Sequence, residues 1–147
     1  MIICGIDPGK KGGFAWGTGK LGEVIVSKMP ETDRDILDLI RNDIRPDRIV
    51  MEKVGGFIGV ASPGSAMFNF GENFGLVRGI CLTLDVPLEL VTPQSWQKKM
   101  ALGTKNGSSK TDWKNKLKAV AQRLYPSTKI TLDTSDAVLI YHSSLNA

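Results

Sequence analysis

Apolar residues along the chain fall into short runs separated by Gly, Pro and polar clusters, the pattern of a protein that mixes strands and helices. Residues 2–7 (IICGID) form an apolar run ending in an acid, which predicts a buried strand, and Pro8-Gly9 turns the chain out of it. GGFAWGT and EVIVSKM predict two further strands, joined through a hairpin turn at Gly19 to Gly22. Residues 31–43 carry Ile36, Leu37, Leu39 and Ile40, with Ile44 just beyond, near helical spacing. Residues 48–54 predict a fourth strand and 87–91 a fifth. Further helices are expected over 65–85, 93–100 and 109–124, the last closed by Pro126, and a final one from near Asp133 to the end. Between them lie a Gly-rich loop at 55–64, with Phe57 and Ile58 outward, and a loop at 103–109.

Three hairpin-linked strands followed by strand–helix–strand crossovers predict an α/β protein with a mixed five-stranded sheet and helices on both faces. No repeat or boundary divides the chain, so residues 1–147 are expected to form a single domain. One oddity stands out in the 65–85 helix. Gly71, Gly75 and Gly79 recur every four residues on one helix face, where each costs roughly 1 kcal/mol against Ala. Close backbone approach, to the sheet or to a partner helix, is the expected reason.

Composition narrows the class without naming a function. A hydrophobic content of 41% and a charged content of 23% are ordinary for a globular protein. No apolar run approaches the roughly 20 residues that span a bilayer. Cys4 and Cys81 lack metal or disulfide spacing and read as reduced core residues of a cytoplasmic protein, and one His excludes a His-rich zinc site. The net charge of +4 hides an asymmetry. Residues 96–129 hold nine Lys or Arg and a single acid, Asp112, whereas the remainder holds ten bases and fourteen acids. That block suits a polyanion-binding face, although a solvated helix surface has the same composition.

The candidate chemistry lies in four acids: Asp7, Glu52, Asp133 and Asp136. Each ends or interrupts a segment that is otherwise apolar, and a buried carboxylate is costly unless paired, hydrogen-bonded or bound to a metal. Singly, each has a plain structural reading. Asp7-Pro8-Gly9 makes a good turn, Asp133 a natural N-cap and Asp136 a good early helical residue. Together they suggest a divalent-metal site. The element order is similar to that of the ribonuclease H-like fold, in which the first and fourth strands lie side by side and bring Asp7 and Glu52 together. A helix carrying Asp133 and Asp136, spaced three apart on one face, is expected to pack across them. Two hard-oxygen-ligated ions can activate a water and stabilise a leaving oxygen, which makes a nuclease the leading reading.

The chain resembles the RuvC family of Holliday junction resolvases, particularly its compact phage-encoded relatives. The resemblance is carried by G-I-D-P-G at 5–9, V-M-E-K-V at 50–54, V-T-P-Q-S-W-Q-K-K at 91–99 and D-T-S-D-A at 133–137. It implies that Asp7, Glu52, Asp133 and Asp136 hold two Mg²⁺ ions, with Mn²⁺ able to substitute. It also implies a homodimer that nicks opposing strands of a four-way DNA junction symmetrically, in a bacterial host cytoplasm if phage-encoded. In the family an aromatic shortly after the catalytic Glu stacks on a base. Here that is Phe57, set further from Glu52 than the family pattern, and packing at a dimer interface is its other reading. Lys99 and Lys110 resemble phosphate-contacting lysines, with Lys98, Lys105 and Lys114 as neighbouring candidates. His142 reads as structural, with orientation of a metal-bound water as the alternative.

Other readings remain. The same acids serve nucleases that cut RNA–DNA hybrids, flaps or forks. A strand and turn of the form G-I-D-x-G also opens sugar kinases and actin-like ATPases, but those close two duplicated domains around ATP. A DNA-binding module without catalysis would not need all four acids.

Overall fold

The computed structural model describes residues 1–53, 64–103 and 107–145. Five strands, β1 (Ile3–Asp7), β2 (Gly13–Gly17), β3 (Ile25–Lys28), β4 (Arg48–Glu52) and β5 (Leu88–Val91), form one sheet in the order β3-β2-β1-β4-β5. β1 pairs antiparallel with β2 and parallel with β4, β2 pairs antiparallel with β3, and β4 pairs parallel with β5. The sheet is therefore mixed, as the element order predicts, with β1 at its centre.

Side chains alternate across the pleat, and the alternation sorts the buried strand residues into two cores. Cys4, Ile6, Phe14, Ile49 and Met51 face a core closed by α1 (Asp33–Asp38), its continuation and α2 (Gly64–Leu84), through Ile36, Ile40, Val77 and Ile80. Ile3, Ala15 and Val50 face the opposite core, closed by α3 (Pro93–Lys99), α4 (Lys110–Leu124) and α5 (Ser135–Ser144). Trp96, Trp113, Leu117, Val138 and Leu139 fill that side. Helices thus cover both faces.

Two differences from the sequence expectation have local causes. The helix predicted over 31–43 starts at Asp33, because Thr32 is the N-cap and its hydroxyl accepts from Asp35 N at 3.1 Å. From Leu39 to Ile44 it widens into a π-helix, closed by Arg45 N–H donating to Ile40 O at 2.9 Å with Arg45 at φ 48°. Ile36, Ile40 and Ile44 stay buried through this change. The second difference concerns the glycine ridge of α2. A Cβ placed at Gly71, Gly75 or Gly79 would meet nothing within 4 Å, and all three are exposed. Close approach to the sheet is therefore not their role.

The close approach occurs elsewhere. α5 lies across β1, and a Cβ at Gly5 would sit 2.6 Å from Tyr141 N and 2.7 Å from Ala137 O. Both are backbone atoms that cannot swing away. Only a residue without a side chain lets this helix settle on the central strand. No described helix is long and apolar enough to cross a membrane.

Candidate active site

The pleat that sorts the cores also aims the acids. On β1, Ile3 and Gly5 face α5, so Asp7 does too. On β4, Val50 faces that side, so Glu52 follows. The strands are parallel, and the last paired residues are Ile6 and Met51. Asp7 and Glu52 are the next residues along, at neighbouring C-terminal strand ends. α5 then starts over them and delivers Asp136 in its first turn.

Asp7, Glu52 and Asp136 line one cavity of about 850 Å³. Lys10, Lys11, Lys110 and Lys114 also line it, together with Ser109, Gln97 and Phe70. Asp133 is not part of that lining, but its charge acts on Asp7. It does not lie on α5 either. Thr134 is the N-cap and Ser135 the first helical residue. Asp133 sits in the preceding turn, where Thr134 N donates to Thr131 O at 3.2 Å and Ser135 N to the same oxygen at 3.0 Å. The expectation that Asp133 caps the helix and shares a helix face with Asp136 is corrected accordingly: the threonine turn holds that stretch out of the helix. The backbone oxygen of Asp133 would lie 3.1 Å from a Cβ on Gly13, so the turn packs directly on β2.

Asp7 is held by its own turn. Its Oδ1 accepts from Gly9 N at 3.2 Å, and Gly12 N donates to Gly9 O at 2.9 Å. A Cβ at Gly12 would overlap Asp7 O and come 2.8 Å from its Cγ, so the turn closes onto the acid only because Gly12 has no side chain. Burial pushes the Asp7 carboxyl above its usual range. Gly9 N–H and Lys114 oppose that rise, and the charge of Asp133 adds to it.

Glu52 is also buried, 8% exposed. Burial pushes its pKa up to about 8, the charges of Asp7 and Asp136 push in the same direction, and the Trp96 indole N–H and Lys114 oppose them. Trp96 Nε1 donates to Glu52 Oε2 at 2.7 Å. Burial is thus the larger cause of both shifts, and the neighbouring acids add to it by raising proton affinity. Among the described residues, no group of three or more His, Cys, Asp or Glu is gathered closely enough to hold a metal ion by itself. The donor chemistry nevertheless fits Mg²⁺, which binds hard oxygens, retains several waters and requires only one or two carboxylates. Asp7, Glu52 and Asp136 are the residues that would hold it, with Asp133 beside Asp7.

The other expected residues fall in several places. Lys110 and Lys114 line the cavity, whereas Lys98 and Lys99 are exposed in the last turn of α3 and do not. Phe57 and Lys105 lie outside the described residues. The imidazole of His142 is tied to Tyr125, with Tyr125 OH and His142 Nδ1 2.8 Å apart and the rings edge to face. Sequence reasoning missed Lys10 and Lys11, although their adjacency to Asp7-Pro8-Gly9 is a usable signal. It also gave no role to Trp96, whose partner is 44 residues away in sequence.

No protein-family model matches the chain, and no curated protein matches it in sequence. Solved structures do. Thermus thermophilus RuvC in complex with a Holliday junction substrate superposes with a TM-score of 0.63 at 15% identity, covering 97% of this chain and 92% of that one. The fowlpox virus resolvase in complex with Holliday junction DNA gives 0.57 at 20% identity, covering 98% of each chain. The yeast mitochondrial Holliday junction resolvase gives 0.54 at 15% identity, covering 97% of this chain and 77% of that one. These likenesses show that the chain has the ribonuclease H-like fold of these structures.

Proposed function

We propose that the chain is a divalent-metal-dependent endodeoxyribonuclease that resolves four-way DNA junctions by paired, symmetric nicks, with residues 1–147 acting as one nuclease domain. The observation that carries the reading is the meeting of Asp7, Glu52 and Asp136 in one lysine-rimmed cavity. The fold is shared with resolvases, two of them solved with Holliday junction DNA.

Asp7, Glu52, Asp133 and Asp136 would supply the carboxylate oxygens for two Mg²⁺ ions, with Mn²⁺ as a substitute. When bound, such ions lower the pKa of a water and neutralise charge on a phosphodiester under in-line attack. The protein's own part is positional and electrostatic. Two strand ends and a helix start hold the acids within reach of one phosphate, which saves orientation entropy in the reaction. Lys10, Lys11, Lys110 and Lys114 hold the backbone of the DNA by charge, which positions the strand without reading its sequence. Lys98, Lys99, Lys105 and Phe57 are proposed as further DNA contacts.

The homodimer is part of the proposal. On α2, Phe68 (67% exposed), Gly71, Gly75, Gly79 and Leu82 (78% exposed) fall close to one helical line. That face is smooth along its middle and apolar at its ends, and it suits the matching helix of a second copy.

The test is cleavage of a synthetic four-way junction with Mg²⁺ and with Mn²⁺, with the nicks mapped on all strands. Symmetric nicks on opposing strands are expected, and Asp7→Asn is expected to abolish them while junction binding persists. Normal cleavage by Asp7→Asn refutes the metal-site assignment. A preference for forks, flaps or RNA–DNA hybrids over junctions refutes the resolvase assignment and leaves a related nuclease.

A further inference from the structure

The contact between Trp96 and Glu52 has a geometry that packing alone does not require. Glu52 pairs in register with Val91 on β5, and Lys53 N donates to Val91 O at 2.7 Å. One residue later Thr92 caps α3, its hydroxyl accepting from Ser95 N at 3.2 Å, and Pro93 occupies the first turn. The origin of α3 is therefore tied by backbone bonds to the end of β4 that carries Glu52. Trp96 follows in the next positions, 1% exposed, wedged in the core with Val91, Trp113 and Leu117. With the ring buried there, its N–H is directed at Glu52 by the packing around it.

The chemistry of the donor matters as well. An indole donates one hydrogen bond and accepts none. A Ser, Asn or His in its place would compete for a cation or exchange a proton. Trp96 does neither. It engages one oxygen of a carboxylate that lines the cavity, and the two Glu52 oxygens become unequal.

We propose that Trp96 is a positioning residue for Glu52: its indole N–H holds Oε2 at the cavity wall, so that Oε1 is the oxygen presented to a divalent cation. The proposal rests on the nuclease reading above. Hydrogen-bond partners of this kind fix ligand orientation, and their loss typically costs 10–100-fold in metal affinity or activity.

Two replacements isolate the N–H. Trp96→Phe removes it together with part of the ring. Benzothienylalanine at position 96 replaces only the N–H with sulfur and keeps the bicyclic shape, so it decides the matter if the Phe variant folds poorly. Mn²⁺ binding is read directly from the paramagnetic signal of free Mn²⁺, without DNA and without turnover. Both proteins are expected to bind Mn²⁺ about tenfold more weakly than wild type. The metal concentration for half-maximal junction cleavage is expected to rise in parallel, and the rate to recover at saturating metal. In a Glu52→Gln background the same replacements are expected to change Mn²⁺ affinity no further.

Unchanged Mn²⁺ affinity, in a wild type that binds Mn²⁺ and cleaves, overturns the positioning role and leaves the nuclease reading standing. An equal loss in the Glu52→Gln background shows that Trp96 acts through packing, and also overturns it. A wild type that neither binds Mn²⁺ nor cleaves any junction overturns both.

Discussion

Raising the pH without divalent metal should destabilise this protein, and Glu52 sets the size of the effect. In the unfolded chain the carboxyl titrates at 4.5, whereas burial and the neighbouring acids push it to about 8 in the fold. Between these values the folded state binds a proton that the unfolded state has lost. Stability is then fully present below 4.5 and drains away as pH rises through 8. A difference of this size corresponds to about 5 kcal/mol, at 1.36 kcal/mol per pKa unit. Asp7, raised by burial and by Asp133, acts with the same sign. His142 acts with the opposite sign, because burial lowers its pKa, so stability gained from it rises with pH up to the unfolded value of 6.5. Urea unfolding in EDTA from pH 5 to 8.5 measures the sum. Comparison with Glu52→Gln cancels the His142 contribution, since that variant keeps an acceptor for Trp96 and loses the charge. Wild type is expected to lose about 1.4 kcal/mol more per pH unit than the variant across the window. Added Mg²⁺ should restore wild type at pH 8 and leave the variant little changed. Parallel pH profiles for wild type and Glu52→Gln refute the claim that Glu52 is buried among like charges.

The remaining expectations concern the backbone and the rim. Gly5→Ala forces a methyl into the α5 backbone at Tyr141 and Ala137 and should cost about 2–4 kcal/mol in denaturant unfolding, with loss of cleavage as Asp136 is displaced. A loss below 0.5 kcal/mol would show that α5 does not rest on β1 as described. Lys114→Ala should weaken junction binding at every sequence alike and reduce the slope of log affinity against log salt by about 1. An unchanged salt slope would remove Lys114 from the phosphate contacts.

Much of the architecture is legible in the order and periodicity of the chain, because both are local consequences of which residues bury. Apolar runs locate all five strands, and Thr92 and Ser109 cap the helices expected from 93 and 109 through bonds only three residues ahead. Period-two alternation, once the strands are parallel, is enough to put Asp7 and Glu52 on one face. Glycine is less readable. A Gly reports only that no side chain is present, so the conspicuous ridge at Gly71, Gly75 and Gly79 suggested contact with the sheet or with a partner helix and lies away from the sheet, while the inconspicuous Gly5 and Gly12 carry the close approaches.

By itself, then, the sequence located the five strands, the helices expected from 93 and 109, and Asp7 and Glu52 at strand ends. It did so because hydrophobic periodicity and capping are encoded within a few residues. Tertiary structure alone decided that Asp133 stands before α5 rather than on it, that Lys10 and Lys11 join Lys110 and Lys114 around one cavity, and that Trp96 holds Glu52. Those arrangements depend on how a helix and a strand end come together across the sheet. Residues 44 apart in sequence meet through packing and a backbone register, for which no local pattern exists.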